Sequence, residues 1–377
     1  LDANQKSEFS TFEFPSPLKA SWVYFFVYTL KYSLNYVPQA LENRSLRILL
    51  GSEFLQHIRS LIETVLLVWC VIAVHFLTCC RFKKDPKNYS FLKIFFVTTQ
   101  NCKSYGLMPK NFKTWFFLRN ILKGIYFSTL VSLTLIGTIT TIFMYIAAGL
   151  FEFRYVIFSL IHIIIFSAFI FITSAFTYGN FIIFVLTAEF FNLKLQHLLN
   201  VSTLKLSLFS FKIRLLFPIQ LERHFRRYMR LKVELDQCND FWRPHLTCVI
   251  LFYILQLTFL VFSIFFEDDF NFLLRITFIT LLAANLTLLW AIVEFASRIS
   301  RKVKHHTVKL HWKVCHFSSK VSYKNTPNNG QNRLKVFFNL ESICDMNFGF
   351  SLENGEIITN QTFQFVCLFS ACFLSKL

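Results

Sequence analysis

Charge is what this sequence has least of. Only 16% of its 377 residues are Asp, Glu, Lys or Arg, against ~25% in an ordinary soluble domain. Hydrophobic residues make up 54% and mean hydropathy is +0.48, which excludes the surface of a water-soluble enzyme and implies a chain solvated by lipid. The motifs of catalysis are missing as well. There is no Gly-rich phosphate loop, no nucleophile elbow and no pair of carboxylates at catalytic spacing, so no enzyme activity and no cofactor are expected. The ten cysteines contain no C-x-x-C pair, which removes the usual zinc spacing. None of them falls in a segment expected outside the cell, and no structural disulfide is expected. Residues 1–19 hold Asp2, Glu8 and Glu13 and no apolar core, so they are not a signal peptide. The chain begins at Leu1, and the expectation is that it belongs to a longer protein.

What is present is apolar length. A helix needs ~20 apolar residues to cross a bilayer. Seven runs approach or exceed that, at about 20–37, 61–80, 124–148, 155–186, 244–266, 272–294 and 357–375. Fifty Phe fill lipid-facing positions in this reading. The first run carries Lys31, at a cost of roughly 2.5–3.5 kcal/mol for a charge at mid-helix. Residues 155–188 hold 34 positions without a charge. A turn at Tyr178-Gly179-Asn180 would leave backbone groups unpaired in lipid, so one long helix is expected there.

The cations orient the bundle. Segments 81–123, 194–243 and 298–335 each hold ten Lys or Arg, 30 of the 39 in the chain. Between them lie loops with one to three. Positive charge accumulates on the cytoplasmic side, which makes the three rich segments internal. That bias also accounts for the net charge of +18 without a nucleic-acid partner. The expected fold is therefore an all-α membrane protein: a seven-transmembrane helix bundle with a cytoplasmic N-terminus (1–19), an extracellular C-terminus, and helices extended into the cytosol. Trp115 and Trp242 are expected at cytoplasmic membrane edges. Of five Asn-x-Ser/Thr sequons, at Asn43, Asn88, Asn200, Asn285 and Asn360, only Asn43 faces outward, making it the expected glycosylation site. The terminal Ser375-Lys376-Leu377 matches a peroxisomal address but follows an external span end, and is read as chance.

Two cytoplasmic segments have helical patterning. Leu221, Phe225, Met229 and Val233 recur at i+4, and Ile299, Val303, Leu310, Val314 and Phe317 form a second stripe. Both are expected to continue the neighbouring spans below the membrane and to pack together. The histidines His305, His306, His311 and His316 sit among lysines and are read as part of a solvated basic helix; no metal is expected. Residues 318–333 are expected to be a flexible loop.

Inside or at the ends of the spans lie Glu63, His75, His162, Gln256, Asn285 and Glu294. Such groups face the bundle and mark function, or hold helices together. Tyr145, His162, Tyr253, Gln256 and Thr280 are the candidates to contact a small ligand. The last run is entered through Asn354-Gly355-Glu356 and carries Asn360, Gln361, Thr362 and Gln364 in its first half. Four neutral polar groups so close together are poorly suited to lipid.

The entry Phe348-Gly349-Phe350-Ser351-Leu352, followed by Gly355, Ile357 and Thr359, resembles the arthropod gustatory and odorant receptor superfamily, gustatory receptors above all. The likeness covers the architecture from Ala20 onward, with locally distinctive residues only near the end. The family's last helix usually carries Thr-Tyr, five apolar residues and Gln-Phe; here Thr362-Phe363 is the nearest opening, and positions 369 and 370 are Phe-Ser. The resemblance implies a seven-helix chemoreceptor that works as a ligand-gated, nonselective cation channel, homo- or hetero-tetrameric, in the cell membrane. It implies a tastant or odorant in an outer-half pocket, and Gln361, Gln364 and Phe365 lining the pore. A G-protein-coupled receptor also has seven helices, but its N-terminus is outside. No Asp/Glu-Arg-Tyr or Asn-Pro-x-x-Tyr occurs at the expected places. A transporter would show two similar halves, and none are seen.

Overall fold

A computed structural model of the chain describes residues 109–147, 156–207, 211–266, 272–321, 348–352 and 354–374. The expected spans at 20–37 and 61–80, Glu63, His75 and the sequon at Asn43 lie outside the described residues. Those that are described are almost entirely helical, in five helices: α1 (Pro109–Ala147), α2 (Val156–Ser207), α3 (Phe211–Phe266), α4 (Phe272–Val321) and α5 (Asn360–Leu374). Among them the one departure from helix and turn is an isolated antiparallel bridge between Ser351 and Ile357.

Four helices are long and apolar enough to cross a membrane, within Lys110–Phe143, Tyr178–Leu199, Glu222–Phe265 and Phe278–Lys309. Helices α2, α3 and α4 have 52, 56 and 50 residues. At ~1.5 Å per residue each is more than twice the ~30 Å hydrocarbon thickness. Each therefore runs from an apolar half into a charged one without a break. Tyr178-Gly179-Asn180 lies inside α2, helical throughout, and α4 continues to Val321, into the stretch expected to be a loop from residue 318.

Helices α1 and α2 form an antiparallel pair. From the basic end upward, the Asn111 amide donates to the Leu193 carbonyl (3.2 Å), Trp115 Nε1 to the Leu186 carbonyl (3.2 Å) and the Tyr126 hydroxyl to the Ala175 carbonyl (3.4 Å). Further along, the Thr138 hydroxyl meets Ser167 Oγ at 2.8 Å. A Cβ at Gly137 would sit 2.4 Å from Ile170 Cδ1, so the missing side chain lets the two helices approach closely. Ion pairs between Lys194 and Glu234, and between Arg298 and Glu189 at 3.9 Å, tie α2 to α3 and to α4 at that same end.

The two ends of the bundle are packed differently. In the apolar half, Phe127, Val131, Phe143, Ile164, Leu251 and Phe265 are exposed, as befits lipid-facing positions. In the charged half, Trp115, Tyr228, Leu235, Trp242 and Ile299 are fully buried, in one core that continues through Phe184, Ile250, Leu257 and Leu289 into the apolar runs of α2, α3 and α4.

This core corrects three expectations. Trp115 and Trp242 are not interfacial anchors. They fill the protein interior, because the helices continue past the apolar run and give these rings a protein partner instead of headgroups. The buried face of α3 is His224, Tyr228, Leu231, Leu235 and Cys238, not the stripe through Phe225 and Val233. Val233 is 51% exposed, while Phe225 of the expected stripe packs partly buried against the edge of the core. On α4 the expected stripe holds at Ile299 and Val303, but His306 is buried with them and is not part of the solvated face.

Candidate functional site

Where α2, α3 and α4 converge in the charged half, the segment before α5 folds into them. Its shape is local chemistry. The Leu352 N–H donates to the Glu356 carbonyl (2.8 Å), the Gly355 N–H to the Leu352 carbonyl (2.9 Å) and the Ile358 N–H to the Phe350 carbonyl (2.8 Å), closing a small hairpin. At its tip the Asn354 side chain accepts from the Glu356 N–H at 3.1 Å, the Asx turn that Asn favours. Gly355 takes φ +83°, a left-handed position open to glycine at little cost. Thr359 then caps α5. Its N–H donates to Thr362 Oγ1 at 3.1 Å while the Thr362 N–H donates back to its carbonyl at 2.9 Å, a reciprocal arrangement like a capping box.

Both arms of the hairpin are held by the long helices. The Asn239 amide of α3 donates to the Gly349 carbonyl at 2.8 Å, fully buried. One turn on, Arg243 Nε donates to Ser351 Oγ at 3.2 Å. From α4, the Ser297 hydroxyl donates to Asn360 Oδ1 at 2.8 Å. Rings complete the seat. Phe350 packs edge-on against Phe184 of α2 (centroids 5.0 Å), which packs edge-on against Trp242 of α3 (5.2 Å), and Phe348 lies on Tyr228 (4.9 Å). Gly349 sits where these surfaces close. A Cβ there would be 2.8 Å from Ile357 Cγ2 and 3.3 Å from Ser300 Cβ.

A belt of charge surrounds the seat. Glu294, the first charge after the apolar run of α4, accepts from Arg298 Nε (3.1 Å) and from Arg301 (2.7 Å). Glu189 of α2 accepts from Asn192 at 2.9 Å. The entry to α5 is thus fastened to each of the other converging helices, at the level where their apolar halves end.

The candidates from sequence fall in separate parts of the bundle. Gln361, Gln364 and Phe365 lie on one exposed face of α5, with Leu368 one turn further. Their neighbours differ: Asn360 and Thr362 are used within the chain, as described, and Val366 is buried. Tyr253 and Gln256 are both 3% exposed on α3. Neither the oxygen nor the nitrogen of the Gln256 amide has a hydrogen-bond partner among the described residues, an uncommon state for a buried polar group. Tyr145, buried on α1, and His162, half-buried on α2, are at the apolar end of that helix pair, away from the hairpin. Thr280 stands on the exposed face of α4 and gives its hydroxyl to the Ile276 carbonyl at 2.9 Å; it is not brought to Gln256 as a buried partner. Asn285 is buried and donates to the Leu281 carbonyl at 2.8 Å.

Sequence reading singled out the hairpin but not its clasps. Asn239, Arg243 and Ser297 carry no local motif; their role depends on contacts across 63 to 110 positions of chain. No protein-family model matches this chain, and no curated protein matches it.

Proposed function

We propose that this protein is a gustatory-like chemosensory receptor of the cell membrane, acting as a subunit of a ligand-gated nonselective cation channel. In this reading seven helices cross the membrane with the N-terminus inside, and the charged half of the bundle lies in the cytosol. The observation that carries it is the outward face of α5. Gln361 and Gln364 are neutral amides exposed on a membrane-level helix, where lipid gives them no partner. A ring of such helices, one from each of four subunits, turns them toward water, where neutral amides solvate passing cations without holding them. The clasped hairpin at the foot of α5 supplies the mechanical link: a shift of α3 or α4 reaches α5 through Asn239, Arg243 and Ser297. The tastant or odorant is placed near Gln256 and Tyr253, whose buried polar groups suit a small molecule bearing both donors and acceptors, with His162 and Tyr145 as further candidates toward the outer side.

Topology tests this reading first. Tags at Leu1 and Leu377 on intact cells are expected to stain inside and outside respectively, and Asn43→Gln to abolish any glycosidase-sensitive mobility shift. An external N-terminal tag would overturn the assignment and favour a G-protein-coupled receptor.

A further inference from the structure

His224 of α3 and His306 of α4 are both buried, and their rings lie 5.6 Å apart at the base of the bundle. From His224 a chain of rings leads to the entry of α5: Tyr228 at 6.4 Å, then Phe348 at 4.9 Å from Tyr228. We propose that this histidine pair is an acid-sensitive junction, closed when both rings are neutral and opened by protonation, which loosens the seat of Phe348 and hence the foot of α5.

The surroundings oppose charge. Arg227 of α3 acts on His224 and also on His197 of α2, and Lys302 lies one helical turn before His306 on α4. On the carboxylate side, Glu222 is engaged by Arg226 at 2.8 Å, and Glu234 and Asp236 by Lys194 and Lys232. The entry segment contributes a phenyl ring, Phe348, which cannot neutralise a cation. A proton on either histidine therefore adds positive charge to a dry, cationic place. Burial and then the charge of Arg227 hold His224 down to about 4, from an ordinary 6.5. The sign follows from linkage. The opened state takes up a proton near pH 6.5 and the closed state does not until about pH 4, so the closed form is fully favoured above 6.5 and loses ground as pH falls through that window.

The test is hydrogen exchange on the full-length protein in lipid nanodiscs, following peptides across 222–235 and 299–309 at neutral pH and at about pH 4.5. After correction for the intrinsic pH dependence of exchange, protection in both peptides is expected to fall on the order of a hundredfold on acidification. The double variant His224→Asn, His306→Asn replaces each ring with a neutral polar amide that does not titrate and is expected to show less than about a third of that change. His306→Gln alone, a milder replacement, is expected to fall between the two. Equal acid-induced loss in wild type and in both variants would overturn the junction, as would wild-type protection that does not change with pH.

Discussion

The apolar and charged halves of the same helices are built on opposite rules. The most apolar stretch of α1 is only 11% buried and that of α4 33%, against 50% for α3 and 61% for the stretch of α2 that reaches the charged half. In lipid no hydrophobic force draws helices together, so association in the apolar half rests on close packing and on hydrogen bonds such as Thr138 to Ser167. In the reading proposed above water surrounds the charged half, whose helices hold together by burying rings and satisfying polar groups, as in a soluble core. The lesson is that the charged half is where the entry to α5 is held by side chains of α3 and α4. Substitutions should be felt far more there than at the exposed apolar positions above.

That contrast gives an order of effects. The largest is expected for Trp242→Ala, which empties a fully buried site at the centre of the base. A loss of about 3–5 kcal/mol is expected, read as failure to yield monodisperse protein or a collapse of the melting temperature in detergent. Its counterpart Phe127→Ala, on an exposed lipid-facing position of α1, is expected to change the melting temperature little; equal effects would break the contrast.

Gly349→Ala is next. The added methyl meets Ile357 at 2.8 Å, so the hairpin must spread, at about 1–3 kcal/mol. Local hydrogen exchange in the 348–359 peptide would show it, while exchange in α1 stays as in wild type. Asn239→Ala leaves the buried Gly349 carbonyl without its donor, costing about 1–3 kcal/mol in that same peptide. An unaltered peptide in both variants would mean that the clasp holds nothing.

The smallest effect has the opposite sign. Gln256→Met removes a buried amide with no partner among the described residues and keeps the volume. It is expected to raise the melting temperature, by up to about 1 kcal/mol of stability, while weakening the response to ligand. A variant that is destabilised would show that the amide is satisfied and structural.

The sequence reading went furthest where a single physical rule dominates. Continuous apolar runs marked the positions of α1 to α5, since insertion in lipid depends on composition along the chain. It fell short on where helices end. The expected span at 244–266 is the last part of α3, which starts at Phe211, and that at 272–294 is the first part of α4, which runs to Val321. Charge marks the membrane edge, not the end of backbone hydrogen bonding. The buried face of α3 was misread because His224 and Tyr228 count as polar in a stripe, yet bury large rings. The hairpin at 348–359 was legible as turn chemistry, through Asn354-Gly355 and Thr359. Its clasps were not, since Asn239 and Ser297 gain meaning only when the helices meet.

The central claim is that ligand opens a pore lined by the exposed face of α5. The most direct measurement is ligand-evoked current in a heterologous cell with G-protein signalling blocked, comparing wild type with Gln364→Ala and Phe365→Ala. The account predicts that wild-type current survives the block, and that both variants change conductance or ion selectivity without moving the half-maximal ligand concentration. Current that vanishes under the block, or current that persists untouched by substitutions across 360–369, would contradict it.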